Sequence, residues 1–296
     1  MDAEARIRAY HADTSWRSQV ADYAGIPVSR VAGEAPADPV EAPLPRDAHE
    51  LARMERMARA DYKLALHREW LIALAASLEP GRTFCVLDYG CGASSFAALA
   101  LEFPDVRCTL AEARPNVLAY LRWCAGRRAD GRIGVLALSV RSARHGGPAR
   151  LRVDVAAVAE RFDAVVLADV LEHTLDPLRV LAHLLGRLRA GGIAFVSYPL
   201  EIDGDWHTPE AYFQRRACFW LLRVCTRRVA GRARRKRCGP LPALALAFAR
   251  IVEPSLRLAS RRFARRVFRE RGAELVARVR DQAGRAVSVG ELLADV

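Results

Sequence analysis

From Thr83 to Pro199 the chain alternates short apolar runs with longer amphipathic stretches, and no other feature restricts its fold as much. Runs such as Phe84-Cys85-Val86-Leu87, Ala164-Val165-Val166-Leu167-Ala168 and Ile193-Ala194-Phe195-Val196 carry no polar residue at alternate positions. A strand of that kind is apolar on both faces, and only a sheet covered on both sides buries it. Parallel strands joined by helices meet the requirement. The pattern predicts strands over 83–88, 106–111, 164–168 and 193–197, with another either near 133–138 or near 150–154. The helix before the last of these is the best specified. Asp176 reads as its cap, Pro177 as its first position, Leu178, Leu181, Leu184, Leu185 and Leu188 as one face, and Gly191-Gly192 as its end.

Upstream, residues 1–24 read as short helices, and residues 25–46, with Pro27, Pro36, Pro39, Pro43 and Pro45, as an irregular connector. Asp47 and Glu50 resemble a capping box. Leu51, Met54, Leu64, Leu71, Leu74 and Leu78 then recur at helical spacing until Pro80-Gly81, which predicts helix over 47–79 with one break. Near the other end, ELVARVR and RAVSV flank DQAG, the pattern of a hairpin closing the sheet's edge. The resulting division is an N-terminal helical segment over 1–80, a core over 81–200, a basic helical insertion over 201–271 and edge strands over 272–296.

Hydrophobic residues make up 52% of the chain and charged residues 27%, which excludes the disordered and fibrous classes. No segment reaches the roughly 18 apolar residues that a spanning helix needs. The start, MDAEARIRAYHADTSW, lacks the apolar stretch of a signal peptide, so a cytoplasmic address is expected. Seven cysteines include no C-x-x-C pair and are odd in number, so neither a zinc site nor a disulfide framework is expected. The net charge of +12 is concentrated, because residues 215–271 hold 18 Arg and Lys against only Glu253 and Glu270, a local +16.

Within the core, Val86-Leu87-Asp88-Tyr89-Gly90-Cys91-Gly92-Ala93-Ser94 runs a strand straight into a turn of small residues and then into a helical stretch. Glycines at 90 and 92 remove Cβ atoms that would collide with a ligand, and the amides opening the next helix point outward as donors. Glu112 falls 20 residues after Gly92, at the end of the next apolar run, where a carboxylate can accept bonds from both hydroxyls of a ribose. Turn and carboxylate together define a nucleoside site. A dinucleotide-binding dehydrogenase would place a third glycine at position 95, where this chain has Ser95.

These residues resemble those of class I S-adenosylmethionine-dependent methyltransferases, in particular the small-molecule group similar to ubiquinone-pathway enzymes. The resemblance covers Leu87 to Pro199. It includes a second block, FDAVVLADVLEH over 162–173, then Asp176-Pro177 and LGRLRAGGIAFVSYP, similar to the family's fourth strand, following helix and the glycine pair before the fifth strand. It implies an α/β fold with a Rossmann-like, mostly parallel seven-stranded sheet and helices on both faces. It also implies S-adenosylmethionine as cofactor, no metal, and a small-molecule acceptor, anionic ones included. By the same resemblance Asp88 contacts the methionine amino group, and Tyr89, Gly90, Cys91 and Gly92 line the methionine and ribose portions. Glu112 holds the ribose hydroxyls, Asp154 contacts the adenine amine, with Leu138 or Ser139 as the alternative, and Asp169 borders the sulfonium. Ser94 stands where many members have a third glycine.

Methyl transfer from a sulfonium is an in-line displacement, and alignment of donor and acceptor supplies about 7 to 11 kcal/mol of barrier reduction. For an oxygen acceptor a general base adds a factor of about 100 to 10,000, and imidazole suits that task near neutral pH. His173, at the end of a core strand, and His207, in the polar loop after the fifth strand, are the candidates. Helix capping is the competing account of the first and a solvated loop that of the second. Cys91 has no histidine partner fixed by the sequence and reads as a small turn residue. The basic segment has three readings: a solvated helical surface, a site for an anionic partner such as RNA, and a helix lying on a membrane surface. The alternative to a small-molecule enzyme is therefore an RNA methyltransferase, or a noncatalytic protein of this fold that binds an anionic partner. Oligomeric state is not legible.

Overall fold

The structure, a computed structural model, describes residues 3–32, 46–128, 130–142, 151–198 and 208–276. It divides into two compact units, Met1–Ala137 and Leu138–Val296. The first opens with helices α1 (Ala3–Ala12), α2 (Ser15–Ala24), α3 (Val28–Ala32), α4 (Arg46–Ala58) and α5 (Asp61–Ala75). It continues with β1 (Phe84–Tyr89), α6 (Ser95–Ala100), β2 (Val106–Glu112), α7 (Pro115–Gly126) and β3 (Ile133–Ala137). The three strands are parallel, with Phe84 opposite Val106 and Cys108 opposite Ile133. Val86 and Leu87 of β1 are 0% exposed, which confirms the two-sided burial that their pattern predicts.

The long N-terminal helix is broken once, between Ala58 and Asp61. Asp47 lies inside α4 and not ahead of it. Glu50 accepts a hydrogen bond from Asn116 Nδ2 at 2.6 Å. Burial of Leu66, Trp70, Leu71 and Leu74 anchors α5, and the Trp70 indole N–H donates to the Phe96 carbonyl at 3.2 Å.

The second unit begins with β4 (Val140–Ser142) and β5 (Leu151–Val153), an antiparallel ribbon of its own. Both expected positions for the additional strand are thus strands, but only β3 joins the main sheet. After β6 (Phe162–Ala168) come α8 (Pro177–Arg187), β7 (Leu188–Ser197), α9 (Pro209–Cys225), β8 (Thr226–Ala230), β9 (Ala233–Lys236) and α10 (Pro240–Val276). The main sheet has seven strands in the order β3-β2-β1-β6-β7-β9-β8. β6 and β7 are parallel, whereas β9 runs antiparallel to both β7 and β8. This is the mostly parallel Rossmann-like sheet that the sequence implies.

Three details differ from expectation. Asp176 precedes α8, with Pro177 at the first helical position, but makes no capping bond with its side chain. Gly191-Gly192 lies within β7 and does not end the helix, which stops at Arg187. A Cβ at Gly192 would fall 2.7 Å from the Asp163 carbonyl oxygen, where the β6–β7 register shifts. Glycine therefore permits a bulge here.

The third difference concerns the sheet's edge. The antiparallel strands come from Thr226–Lys236, inside the basic segment expected to be helical. The predicted C-terminal hairpin does not supply them: residues 272–276 are the end of α10, and residues 277–296 lie outside the described residues. Thr226 and Ala233 are fully buried, and the Thr226 hydroxyl accepts from Arg234 Nε at 2.7 Å. Arginines on the outer strand β8 also blunt an otherwise pairing-competent edge.

Candidate functional site

In the first unit, β1 delivers Asp88 and Tyr89 to a turn built on left-handed backbone, with Gly90 at φ 66°, Gly92 at φ 53° and Ser94 at φ 55°. For serine that conformation costs about 1–2 kcal/mol, so the place of the family's third glycine retains glycine-like geometry. The Gly90 and Cys91 amides both donate to the Ala111 carbonyl, at 2.8 and 3.3 Å, and the Ser94 amide donates to the Cys91 carbonyl at 2.7 Å. These bonds pin the turn to the end of β2. A Cβ on Gly92 would stand 3.2 Å from Met54 Cε, so the position is closed to side chains by both backbone and space. Burial, reinforced by the carboxylates of Asp88 and Glu112, pushes the Cys91 thiol well above its ordinary range. That disfavours the thiolate and fits the reading of Cys91 as a small turn residue.

Glu112 ends β2 with 4% exposure. It accepts from the amides of Gly92 (3.1 Å), Ala113 (2.8 Å) and Arg114 (3.1 Å), and from Arg114 Nε (3.2 Å) and Nη2 (3.0 Å). Burial alone would raise its pKa, but the Arg114 charge and these donors outweigh it and hold the carboxyl below the usual range. Arg114 also stands 3.6 Å from Glu50. A diol that engages Glu112 must therefore share the carboxylate with the Arg114 guanidinium or displace it.

Asp88, 3% exposed, has no hydrogen-bond partner at Oδ2. Burial raises its pKa to about 7, with an Ala97 amide and the Lys63 charge pulling the other way and Glu112 adding to the rise. An unpaired buried carboxylate oxygen beside a glycine turn suits a cationic ligand group, which would restore its charge.

The sequence offered no sign of a second polar cluster in this unit. His11 Nδ1 meets the Arg59 carbonyl at 2.9 Å, His11 Nε2 meets His67 Nδ1 at 3.0 Å, and His67 Nε2 meets Ser95 Oγ at 3.1 Å. A carbonyl only accepts, so His11 Nδ1 carries a proton, and a single proton bridges His11 Nε2 and His67 Nδ1. His67 Nε2 pairs with the Ser95 hydroxyl, which can donate or accept. Burial, then the proximity of His11, Lys63 and Arg59, depresses the His67 pKa to about 3. The unfolded state takes up this proton near pH 6.5 and the folded state does not. The contribution is thus complete above pH 6.5 and is lost as pH falls toward 3, at about 1.4 kcal/mol per unit. Urea melts between pH 7 and 5 should show the loss, and a His67→Gln variant should flatten it; an equally steep slope in that variant would exclude His67 as its source.

In the second unit, the Asp154 amide donates to the Ser139 carbonyl at 2.8 Å, which brings together two of the alternatives for an adenine contact. The Asp154 side chain is exposed and caps the following turn through the Ala156 amide at 3.0 Å. Leu138, by contrast, is buried at 4% exposure. Asp169 leaves β6 with φ 55°, and its carboxylate accepts from the Ser197 hydroxyl at 2.6 Å. A non-glycine residue held left-handed at a strand's carboxyl end is the kind of strain found at functional positions.

His173 closes the short 3-10 turn Leu171–His173 and is half-buried. The turn is tied to α9, since the Thr208 amide donates to the Glu172 carbonyl at 2.8 Å and the Thr208 hydroxyl to the Thr174 carbonyl at 3.1 Å. Thr208 caps α9, a role not read from the sequence although the Thr208-Pro209 pair was its signal. His207, with Asp203, Asp205 and Trp206, lies outside the described residues. Among the described residues, no group of three or more His, Cys, Asp or Glu side chains could hold a metal ion.

Residues 54–277 match the model of a family described as a methyltransferase domain. No curated protein matches the chain. Among solved structures it is similar to an O-methyltransferase family protein from Burkholderia thailandensis, at 15% identity and a TM-score of 0.40, over 66% of this chain and 61% of that one. It is similar to precorrin-6y C5,15-methyltransferase from Geobacter metallireducens GS-15 at 16% identity and a TM-score of 0.31, over 45% and 63% of the two chains. A third is Haemonchus contortus phosphoethanolamine N-methyltransferase 2, at 19% identity and a TM-score of 0.32, over 42% and 26%. The chain spans less than two thirds of the length of each of these structures.

Proposed function

The chain belongs to the S-adenosylmethionine-dependent methyltransferase family, and on that premise we propose that it transfers a methyl group from S-adenosylmethionine to a small-molecule acceptor. The observation that carries the reading is the pair of buried carboxylates flanking the glycine turn, Asp88 with a free oxygen and Glu112 at the end of the neighbouring strand. The bound cofactor supplies an electrophilic methyl group on a sulfonium. Asp88 Oδ2 accepts from the methionine ammonium, Gly90 and Gly92 give the ligand room against the backbone, and Glu112 receives the ribose hydroxyls once Arg114 turns aside. Asp154 or Ser139 takes the adenine amine, and Asp169 borders the reacting centre.

His173 holds the acceptor's proton, with His207 as the other candidate for that task. The likeness of the Leu87–Pro199 segment to small-molecule methyltransferases supports the acceptor class.

The decisive measurement uses methyl-labelled S-adenosylmethionine with fractionated host metabolites, RNA and protein. Label should enter a low-molecular-weight organic fraction; label confined to RNA or protein would overturn the acceptor class. With the acceptor in hand, His173→Ala should lower kcat by about 100- to 10,000-fold while leaving S-adenosylhomocysteine affinity unchanged. A kcat within a factor of about two of the parent would remove His173 as the base.

A further inference from the structure

Helix α10 presents a row of large apolar side chains to solvent: Leu241 is 62% exposed, Leu244 66%, Phe248 53%, Ile251 74% and Leu258 54%. Their spacing puts them on one stripe. The opposite side of the helix carries Ala245, Ala249, Ser260 and Ala264, all buried. Trp220 of α9, 43% exposed, extends the apolar surface, with its ring centroid 5.9 Å from that of Phe248.

Positive charge brackets this surface at both ends. At one end the β8–β9 hairpin exposes Arg227, Arg228, Arg232 and Arg237. Cys225, the last residue of α9 and the one before this hairpin, donates its thiol to the Pro242 carbonyl in the first turn of α10 at 3.7 Å. At the other end the same face of α10 changes character after Leu258, where Arg262 and Arg265 are exposed.

Exposed apolar patches of this extent mark interaction sites. Three occupants are distinguishable by chemistry. A second copy would find the helical spacing suitable, but pairing would bring two +16 segments together. RNA would engage the arginines and leave Leu241, Leu244, Ile251 and Leu258 without partners, since aliphatic side chains cannot stack on bases. An anionic bilayer uses both parts of the surface. Apolar side chains enter the acyl boundary, Trp220 sits at headgroup depth, and arginines meet phosphates. Among the described residues no helix is long and apolar enough to cross a membrane, so the contact is peripheral. We propose that α10 and the β8–β9 hairpin dock this protein on the surface of an anionic phospholipid bilayer.

The test is flotation of the full chain with phosphatidylcholine vesicles, with and without about 30% phosphatidylglycerol. Binding should be at least about tenfold tighter on the anionic vesicles and should weaken as salt rises. The double variant Phe248→Glu/Ile251→Glu should lose about tenfold or more of that binding, with S-adenosylhomocysteine affinity and melting temperature unchanged. Arg262→Glu/Arg265→Glu should weaken binding and flatten its salt dependence. Absence of vesicle binding, equal binding to neutral vesicles, or binding indifferent to the apolar variant would each overturn the proposal. So would a dimer dissociated by the apolar variant, or RNA retention, where either occurs without vesicle binding.

Discussion

Replacement of Glu112 by alanine is expected to weaken S-adenosylhomocysteine binding by at least about 100-fold, because two charge-assisted hydrogen bonds to the ribose are lost at roughly 1.5–3 kcal/mol each. The structure adds a second consequence that a surface carboxylate would not have. Glu112 is 4% exposed and accepts from three backbone amides and the Arg114 guanidinium. Its removal orphans these donors beside the turn, so the alanine variant should also lose about 2–4 kcal/mol of stability. Glu112→Gln separates the two effects. The amide keeps the side chain's volume and one acceptor oxygen but loses the charge, so it should retain most of the stability and still bind roughly tenfold more weakly. Calorimetric titration well below each variant's melting temperature measures the affinities. Unchanged affinity in Glu112→Ala would end the assignment of the ribose contact.

Legibility followed the range of the interactions. The strands were readable because two-sided burial leaves a local mark, and Val86, Leu87, Val165 and Val166 are indeed at most 2% exposed. The turn was readable because Gly90 and Gly92 answer a local steric demand. The β8–β9 hairpin was hidden by its own composition. Arginine is compatible with helix and strand alike, and the inward positions, Thr226 and Ala233, are too small to set a period of two. The His11–His67–Ser95 chain and the Glu50–Asn116 contact join residues 28 to 66 positions apart, so no local pattern announces them. Arg114 is different in kind. It stands two residues after Glu112, and its guanidinium could have been anticipated as a competitor for that carboxylate.

Asp88→Asn should separate stability from cofactor binding, raising the first and lowering the second. Asp88 is an acid whose folded-state pKa is raised, from 3.8 to about 7, chiefly by burial. The folded state therefore keeps its proton over a window in which the unfolded state has released it. The resulting stabilisation is fully present below pH 3.8 and is lost as pH rises through about 7. At pH 8 the ligand-free protein carries an ionised, half-satisfied carboxylate whose burden is on the order of 4 kcal/mol. Asparagine preserves the shape and the acceptor for the Ala97 amide without the charge. The variant should gain about 2–4 kcal/mol at pH 8, seen as a melting temperature higher by about 5 °C or more, and little at pH 4. Ligand binding should respond in the opposite sense. An ammonium beside Oδ2 is worth most against a carboxylate, so the variant should bind S-adenosylhomocysteine about 100-fold more weakly at pH 8. For the parent protein the same coupling predicts affinity falling about tenfold per unit as pH drops below 7, with a proton released on binding near pH 6. A parent affinity flat across that range, together with no rise in melting temperature for Asp88→Asn, would show that the ligand's ammonium lies elsewhere.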